Sequence, residues 1–90
     1  MQKERYYVYV LISLKDRKFY VGLTTDLRQR IGRHKYGEVK STKSRRPLEL
    51  IHYEYFVNKA DAEAREVFLK SGFGREQLRK ALKRTLSRYL

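Results

Sequence analysis

The sequence predicts an α+β domain, and three observations carry that reading. Two short runs rich in Tyr, Val and Ile, Tyr6 to Ser13 and Lys18 to Leu23, flank a polar turn at Lys15-Asp16-Arg17, which is the pattern of a β-hairpin. A third aromatic and branched run, LELIHYEYFV from Leu48 to Val57, reads as another strand. Between and after the strands, apolar residues recur at helical spacing: Leu27 with Ile31, then a stretch from Asn58 to about Ser71, then Leu78, Leu82 and Leu86. Ninety residues, taken as one domain from 1 to 90, suffice for one core and leave little room for a second.

The hairpin sorts its own side chains. A period of two places Val8, Val10 and Ile12 on one face and Tyr7, Tyr9 and Leu11 on the other. In the second strand Phe19 and Val21 share a face, which leaves Tyr20 and Gly22 opposite. With the aliphatic sets on the core, Tyr7, Tyr9 and Tyr20 gather on the far side. A tight Gly-Leu-Thr-Thr turn follows, with Thr25 or Asp26 as the N-cap of a helix that Gly37 ends. The polar side of that helix is strongly cationic and sets Arg30 and His34 one turn apart. Lys35 to Pro47, KYGEVKSTKSRRP, has five basic residues against one acid and reads as a loop.

Asn58 offers the next N-cap. On the helix it opens, Ala62, Glu66, Leu69 and Phe73 fall on one row, opposite Ala60, Ala64, Val67 and Phe68. Glu66 therefore stands inside an apolar stripe, where a carboxylate needs a cation. Gly72 and Gly74 punctuate the end of this helix. From Arg75 to Leu90 the leucines alternate with Arg79, Lys80, Lys83, Arg84 and Arg88, which predicts an amphipathic basic helix.

Charge bounds the partners. With 22 Lys+Arg against 10 Asp+Glu, the formal net charge is +12, which calls for a polyanion. The basic residues are spread along the chain instead of forming one block, which favours nucleic acid over an anionic membrane surface. No cysteine is present, so neither a disulfide framework nor a thiolate zinc site can form, and two histidines cannot build a metal cage alone. The apolar run near the N-terminus is too short to span a bilayer and lacks a cleavage pattern, so the expectation is a cytoplasmic chain, with nucleoid association as an option.

Cleaving a phosphodiester takes an activated water, a cation on the developing phosphorane charge and help for the departing oxygen. Arg30 can form two parallel hydrogen bonds to phosphate oxygens. His34 can exchange a proton near neutral pH. A tyrosine, either Tyr9 or Tyr20, becomes a useful base only when a neighbouring cation lowers its pKa. Glu66 could hold a hard ion such as Mg2+ together with water and substrate phosphate. Each has a bland alternative: a solvated arginine, an idle surface histidine, strand aromatics on a neighbour, and an exposed pair of Glu66 with Lys70. Glu54 and Glu63 are substitutes for Glu66.

Tyr7-Val8-Tyr9, then Tyr20-Val21-Gly22 eleven positions on from Tyr9, Arg30 ten after Tyr20, His34 four later and a helical Glu66 together resemble the GIY-YIG nuclease family. Closest in appearance are its small stand-alone bacterial members. Tyr7 stands where the first motif usually carries glycine, and the only Asn, Asn58, precedes Glu66. The resemblance implies a three-stranded antiparallel sheet flanked by about three helices, and metal-dependent hydrolysis of DNA phosphodiesters with Mg2+ or Mn2+. It implies Glu66 as metal ligand and Arg30 as the group that binds and stabilises the scissile phosphate. Tyr9 and Tyr20 would flank the attacking water, one of them as base, with His34 assisting the proton.

For the wider substrate surface, Lys40, Lys43, Arg45 and Arg46, with Ser41 and Thr42 as hydroxyl donors, could grip the backbone beside the cut, and Arg79, Lys83 and Arg88 could add contacts from the tail helix. Contacts of that kind carry no base information, so selectivity for shape (a flap, nick, branch or single strand) is expected over a fixed sequence. RNA is a second candidate polymer, and a protein partner could supply targeting. Two other functions compete: a non-catalytic nucleic-acid-binding protein that needs only the charges, and an accessory protein that docks through exposed leucines of the tail helix.

Overall fold

The computed structural model describes residues 5–89. The first four residues of the basic lead and Leu90, the last residue of the expected tail helix, lie outside them. In chain order the elements are β1 (Tyr6–Ser13), β2 (Phe19–Thr24), α1 (Leu27–Lys35), a 3-10 turn (Lys43–Arg45), β3 (Leu48–Phe56), α2 (Lys59–Lys70), α3 (Gly72–Ala81) and α4 (Lys83–Leu86). The strands form one antiparallel sheet in the order β2-β1-β3.

β1 is central, and both of its faces are covered. One face, Val8 and Val10 with Val21 of β2, packs against Ala62 and Leu69 of α2 and Leu78 of α3, with Phe19, Leu23, Ile51, Phe56, Phe68 and Leu82 around them. The other face carries Tyr9 and Leu11, each only 1% exposed, on the side of α1. Pairing fixes which β3 residues join each side. Tyr9 stands opposite Tyr53 and Tyr7 opposite Tyr55, and a bulge at Ile51, between the pairs Val10 with His52 and Leu11 with Leu50, keeps Leu50 on the tyrosine side.

Asp26, not Thr25, caps α1, accepting from the Gln29 backbone N–H at 3.0 Å. At the other end Gly37, with φ +73°, takes the left-handed conformation that closes the helix, and the backbone N–H of Glu38 reaches the Arg33 carbonyl at 2.9 Å. Asn58 caps α2. On that helix Ala62 and Leu69, in the row of Glu66, are buried and Val67 is exposed, but the two expected rows do not hold throughout: Phe73 is 83% exposed on α3, and Phe68 packs on the core.

The chain after α2 departs from expectation. α2 ends at Lys70, where expected, but Gly72 and Gly74 are not loop residues: they form the first turn of α3, capped by Ser71, whose hydroxyl oxygen accepts from the Gly74 N–H at 3.1 Å. Gly74 lies against the last turn of α2, where a side chain would run into the Phe68 carbonyl and the Leu69 Cα. The expected single tail helix is broken at Leu82 into α3 and α4. Leu78 and Leu86 are buried and Leu82 packs on the core. Leu78, Leu82 and Leu86 thus close the fold, and among the described residues they leave no exposed apolar face for docking.

The long loop is pinned at its far end. The Ser13 hydroxyl donates to the Arg45 carbonyl (2.6 Å), the Leu14 N–H donates to the Pro47 carbonyl (2.8 Å), and the Arg45 guanidinium pairs with Asp16 at 2.9 Å. That pairing draws Asp16 down to a pKa of about 2. The loop is thereby held against the β1–β2 turn, with Thr42 fully buried beneath it.

Candidate active site

The site is built outward from Tyr9. Its ring crosses over Gly22, its partner across the β1–β2 pair. A Cβ at Gly22 would collide with the phenol, lying 2.8 Å from the nearest ring CH carbon and closer still to Cζ and the hydroxyl. Glycine is therefore needed here for room, in a strand where it otherwise weakens packing. The Tyr20 ring centroid lies 6.4 Å from that of Tyr9, and the His34 ring sits edge-on to both, at 5.6 Å from Tyr9 and 5.1 Å from Tyr20.

Hydrogen bonds orient this group. The Tyr9 hydroxyl meets His34 Nε2 at 2.8 Å, and His34 Nδ1 meets Thr42 Oγ1 at 2.7 Å. With its proton on Nδ1, the imidazole donates to Thr42 and leaves Nε2 to accept from Tyr9. The Thr42 hydroxyl can in turn donate to the Val39 carbonyl at 3.5 Å. A chain of polar contacts then runs from loop backbone through Thr42 and His34 to the Tyr9 oxygen. The Ser41 hydroxyl donates to the Tyr20 hydroxyl at 3.4 Å, so the same loop touches both phenols.

The charges follow the burial. Burial first, then the positive charges of Arg30 and Arg33, pull His34 from 6.5 to about 4, so the ring is neutral at pH 7. For Tyr9, burial and then the neighbouring Tyr20 push the phenol well above its ordinary value of 10. Arg30 is close enough to the Tyr9 oxygen to oppose this, and Glu66 is close enough to add to it. Tyr9, Tyr20 and His34, from two strands and one helix, are thus in direct contact, and the charges of Arg30 and Glu66 act on the Tyr9 phenol.

Glu66 is half-buried and pairs with Lys70 at 3.2 Å. The alternatives for its place are disposed otherwise. Glu54 receives two hydrogen bonds from Arg65, at 2.8 and 3.1 Å, and pairs with His52 at 3.0 Å. Burial works against its charge, but the bonds from Arg65 and His52 outweigh it and hold the carboxyl below its ordinary range. Glu63 is exposed. Among the described residues no three His, Asp or Glu side chains group to hold a metal ion. A lone carboxylate fits a hard ion such as Mg2+, which keeps waters and takes phosphate oxygens from substrate, and does not fit a closed zinc cage.

The proposed phosphate-gripping residues divide. Lys40, Lys43, Arg46 and Lys83 are exposed, and the Arg46 guanidinium lies over Gly37. Arg79, also exposed, stacks on the Phe19 ring and pairs with Glu76 at 3.5 Å. Thr42 needs correction: it is completely buried with its hydroxyl on His34, so it orients the imidazole and cannot reach a phosphate. Arg45 is likewise committed, to Asp16 and to the carbonyls of Lys18 and Phe19. Sequence reasoning missed the orienting role of Thr42, for which no local signal existed, and the spatial role of Gly22, which a glycine inside a strand does signal.

Residues 5–80 match the GIY-YIG catalytic domain. A UPF0213 protein of Staphylococcus haemolyticus (strain JCSC1435) is 40% identical over 74 residues, covering 81% of this chain and 88% of that protein. One from Clostridium perfringens (strain 13 / Type A) is 42% identical over 65 residues, covering 71% and 69%. The solution NMR structure of a UPF0213 protein from Bacillus halodurans superposes with a TM-score of 0.55 at 36% identity, covering 86% of this chain and 84% of that one. No helix among the described residues is long and apolar enough to cross a membrane.

Proposed function

The chain belongs to the GIY-YIG family of catalytic domains, and on that footing we propose that it is a divalent-metal-dependent endonuclease of the cytoplasm that hydrolyses DNA phosphodiester bonds, selecting shape over sequence. The observation that supports this most is the Tyr9 hydroxyl, which has His34 Nε2 at 2.8 Å and feels the charges of both Arg30 and Glu66. A buried phenol used only for packing needs one hydrogen-bond partner; the charges of Arg30 and Glu66 acting on it are what exceed that need.

In this reading Arg30 places its guanidinium on the non-bridging oxygens of the scissile phosphate and meets the charge that grows there. Glu66 would hold the cation, which when bound supplies positive charge to the phosphate and makes nearby water more acidic. Burial holds the Tyr9 phenol above its ordinary pKa, the opposite of what a free phenolate base needs, so Tyr9 takes a proton from the attacking water only as its own proton passes to His34 Nε2 in the same step. Thr42 keeps the ring in the tautomer that can accept it. His34 holds that proton only in passing, because a pKa of about 4 disfavours the imidazolium beside Arg30 and Arg33. Tyr20 flanks the water from the Ser41 side.

The test is incubation with nicked, flapped, branched, single-stranded and blunt duplex DNA, with Mg2+ or Mn2+ and with EDTA. Cleavage of at least one form is expected with metal, none with EDTA, and none by Glu66→Ala, which still binds. Binding without cleavage of any form would leave the non-catalytic reading. Cleavage by Glu66→Ala at the wild-type rate would remove Glu66 from the site.

A further inference from the structure

The tyrosine side of the sheet does not end at the buried site. Beyond the edge of α1 it continues as Tyr7, Tyr53 and Tyr55, with Tyr53 51% and Tyr55 44% exposed. Tyr7 touches both, its ring centroid 6.0 Å from Tyr53 at 61° and 5.6 Å from Tyr55 at 49°. The rings are tilted against one another and not stacked face to face. Tyr7 and Tyr53 open onto a groove of about 670 Å³ between α1 and β3, which Arg5 and Arg28 also line, and Tyr55 joins them and Arg5 around a smaller adjoining pocket. Asp26 borders the groove as well, but its carboxylate is engaged with the Gln29 N–H as the cap of α1.

We propose that Tyr7, Tyr53 and Tyr55, flanked by Arg5 and Arg28, form a stacking platform for unpaired bases of a single-stranded nucleic acid whose backbone runs on toward Tyr9. Aromatic faces interleaved with cations are what a single strand needs, because every base offers a π-face and every link a phosphate. In a duplex interior both faces of a base are covered by its neighbours, so this surface discriminates against paired DNA. The occupant follows from the net charge of +12 and from continuity. Tyr7 and Tyr9 lie two positions apart on one face of β1, about 7 Å along the strand. Tyr9 is only 1% exposed, so a strand stacked here approaches the candidate site beside that ring and not over it.

The inference takes the polymer from the nuclease reading but does not need turnover, so binding is measured in EDTA. Fluorescence anisotropy compares a labelled oligothymidylate with a blunt duplex of equal length. Tyr53→Thr and Tyr55→Thr, which keep a strand-forming residue, are each expected to weaken single-strand binding roughly tenfold. Tyr53→Phe and Tyr55→Phe should bind as wild type, and duplex binding should change little in any variant. The chain has eight tyrosines and no tryptophan, so stacking should also quench its intrinsic fluorescence. Unchanged single-strand affinity in the threonine variants, or an equal loss for duplex, would overturn the platform. If those variants melt, ring resonances of Tyr53 and Tyr55 in the wild type decide: shifted on titration they support it, unshifted they overturn it. A chain that binds in this way yet cuts nothing would sink the hydrolytic reading and leave the platform standing.

Discussion

Burying a histidine in neutral form should make the stability of this protein depend on pH in a calculable way. His34 is 1% exposed and its pKa falls from 6.5 to about 4 on folding. Between those values the unfolded chain binds the proton and the folded one does not, so stability is complete above pH 6.5 and declines as pH falls toward 4. At pH 5 the deficit is about 2 kcal/mol, and in full it is about 3 kcal/mol, at 1.36 kcal/mol per pKa unit. Over 90 residues, 2 kcal/mol corresponds to a fall in Tm of roughly 8 to 16 °C between pH 8 and pH 5. Carboxylates are largely ionised in folded and unfolded chains above pH 5, so comparison with a His34 variant across this interval separates His34 from the chain's other histidine. Thermal melts of wild type and His34→Gln across it provide the assay. The variant should be less stable at pH 8 but lack the slope. Equal slopes in the two proteins, or an NMR titration of His34 centred near 6.5, would refute the reasoning.

Three further outcomes are expected. Gly22→Ala drives a methyl group into the Tyr9 phenol, so it should cost about 1 to 3 kcal/mol in a melt and slow cleavage by about a hundredfold, with nucleic-acid binding retained. Thr42→Val removes the partner of His34 Nδ1; leaving that buried nitrogen unpaired should cost about 1 to 3 kcal/mol and lower kcat with KM little changed. If about six phosphates are neutralised, affinity for DNA should fall by about three orders of magnitude between 50 and 200 mM salt, and a flat salt dependence would argue against the electrostatic surface.

What could be read from the sequence were the features governed by local rules. The period-two alternation sorted Val8 and Val10 from Tyr7 and Tyr9, and the caps at Asn58 and Gly37 stood where their backbone chemistry requires them. The ordered spacing singled out Tyr9, Tyr20 and His34, which the fold brings into contact across two strands and a helix. What escaped was set by contacts between distant segments. Thr42 looks like any loop hydroxyl until the pairing of Arg45 with Asp16, 29 positions away, folds the loop over it. Gly72 and Gly74 read as breakers, yet Gly74 is required because α3 starts hard against the backbone of α2. Leu82 keeps the leucine spacing through a break that the spacing cannot reveal. The platform tyrosines read as strand formers, and only the limited extent of α1 leaves them uncovered.

The most direct measurement replaces one atom. Tyr9→Phe keeps the ring that fills the space over Gly22 and removes only the hydroxyl that faces His34 Nε2. Single-turnover cleavage with Mg2+, on whichever DNA form the wild type cuts, should fall at least about a hundredfold, with the DNA affinity close to wild type and stability lowered by about 1 to 3 kcal/mol for the unpaired Nε2. Cleavage by Tyr9→Phe at the wild-type rate would contradict a proton path through Tyr9 and move the base elsewhere in the site.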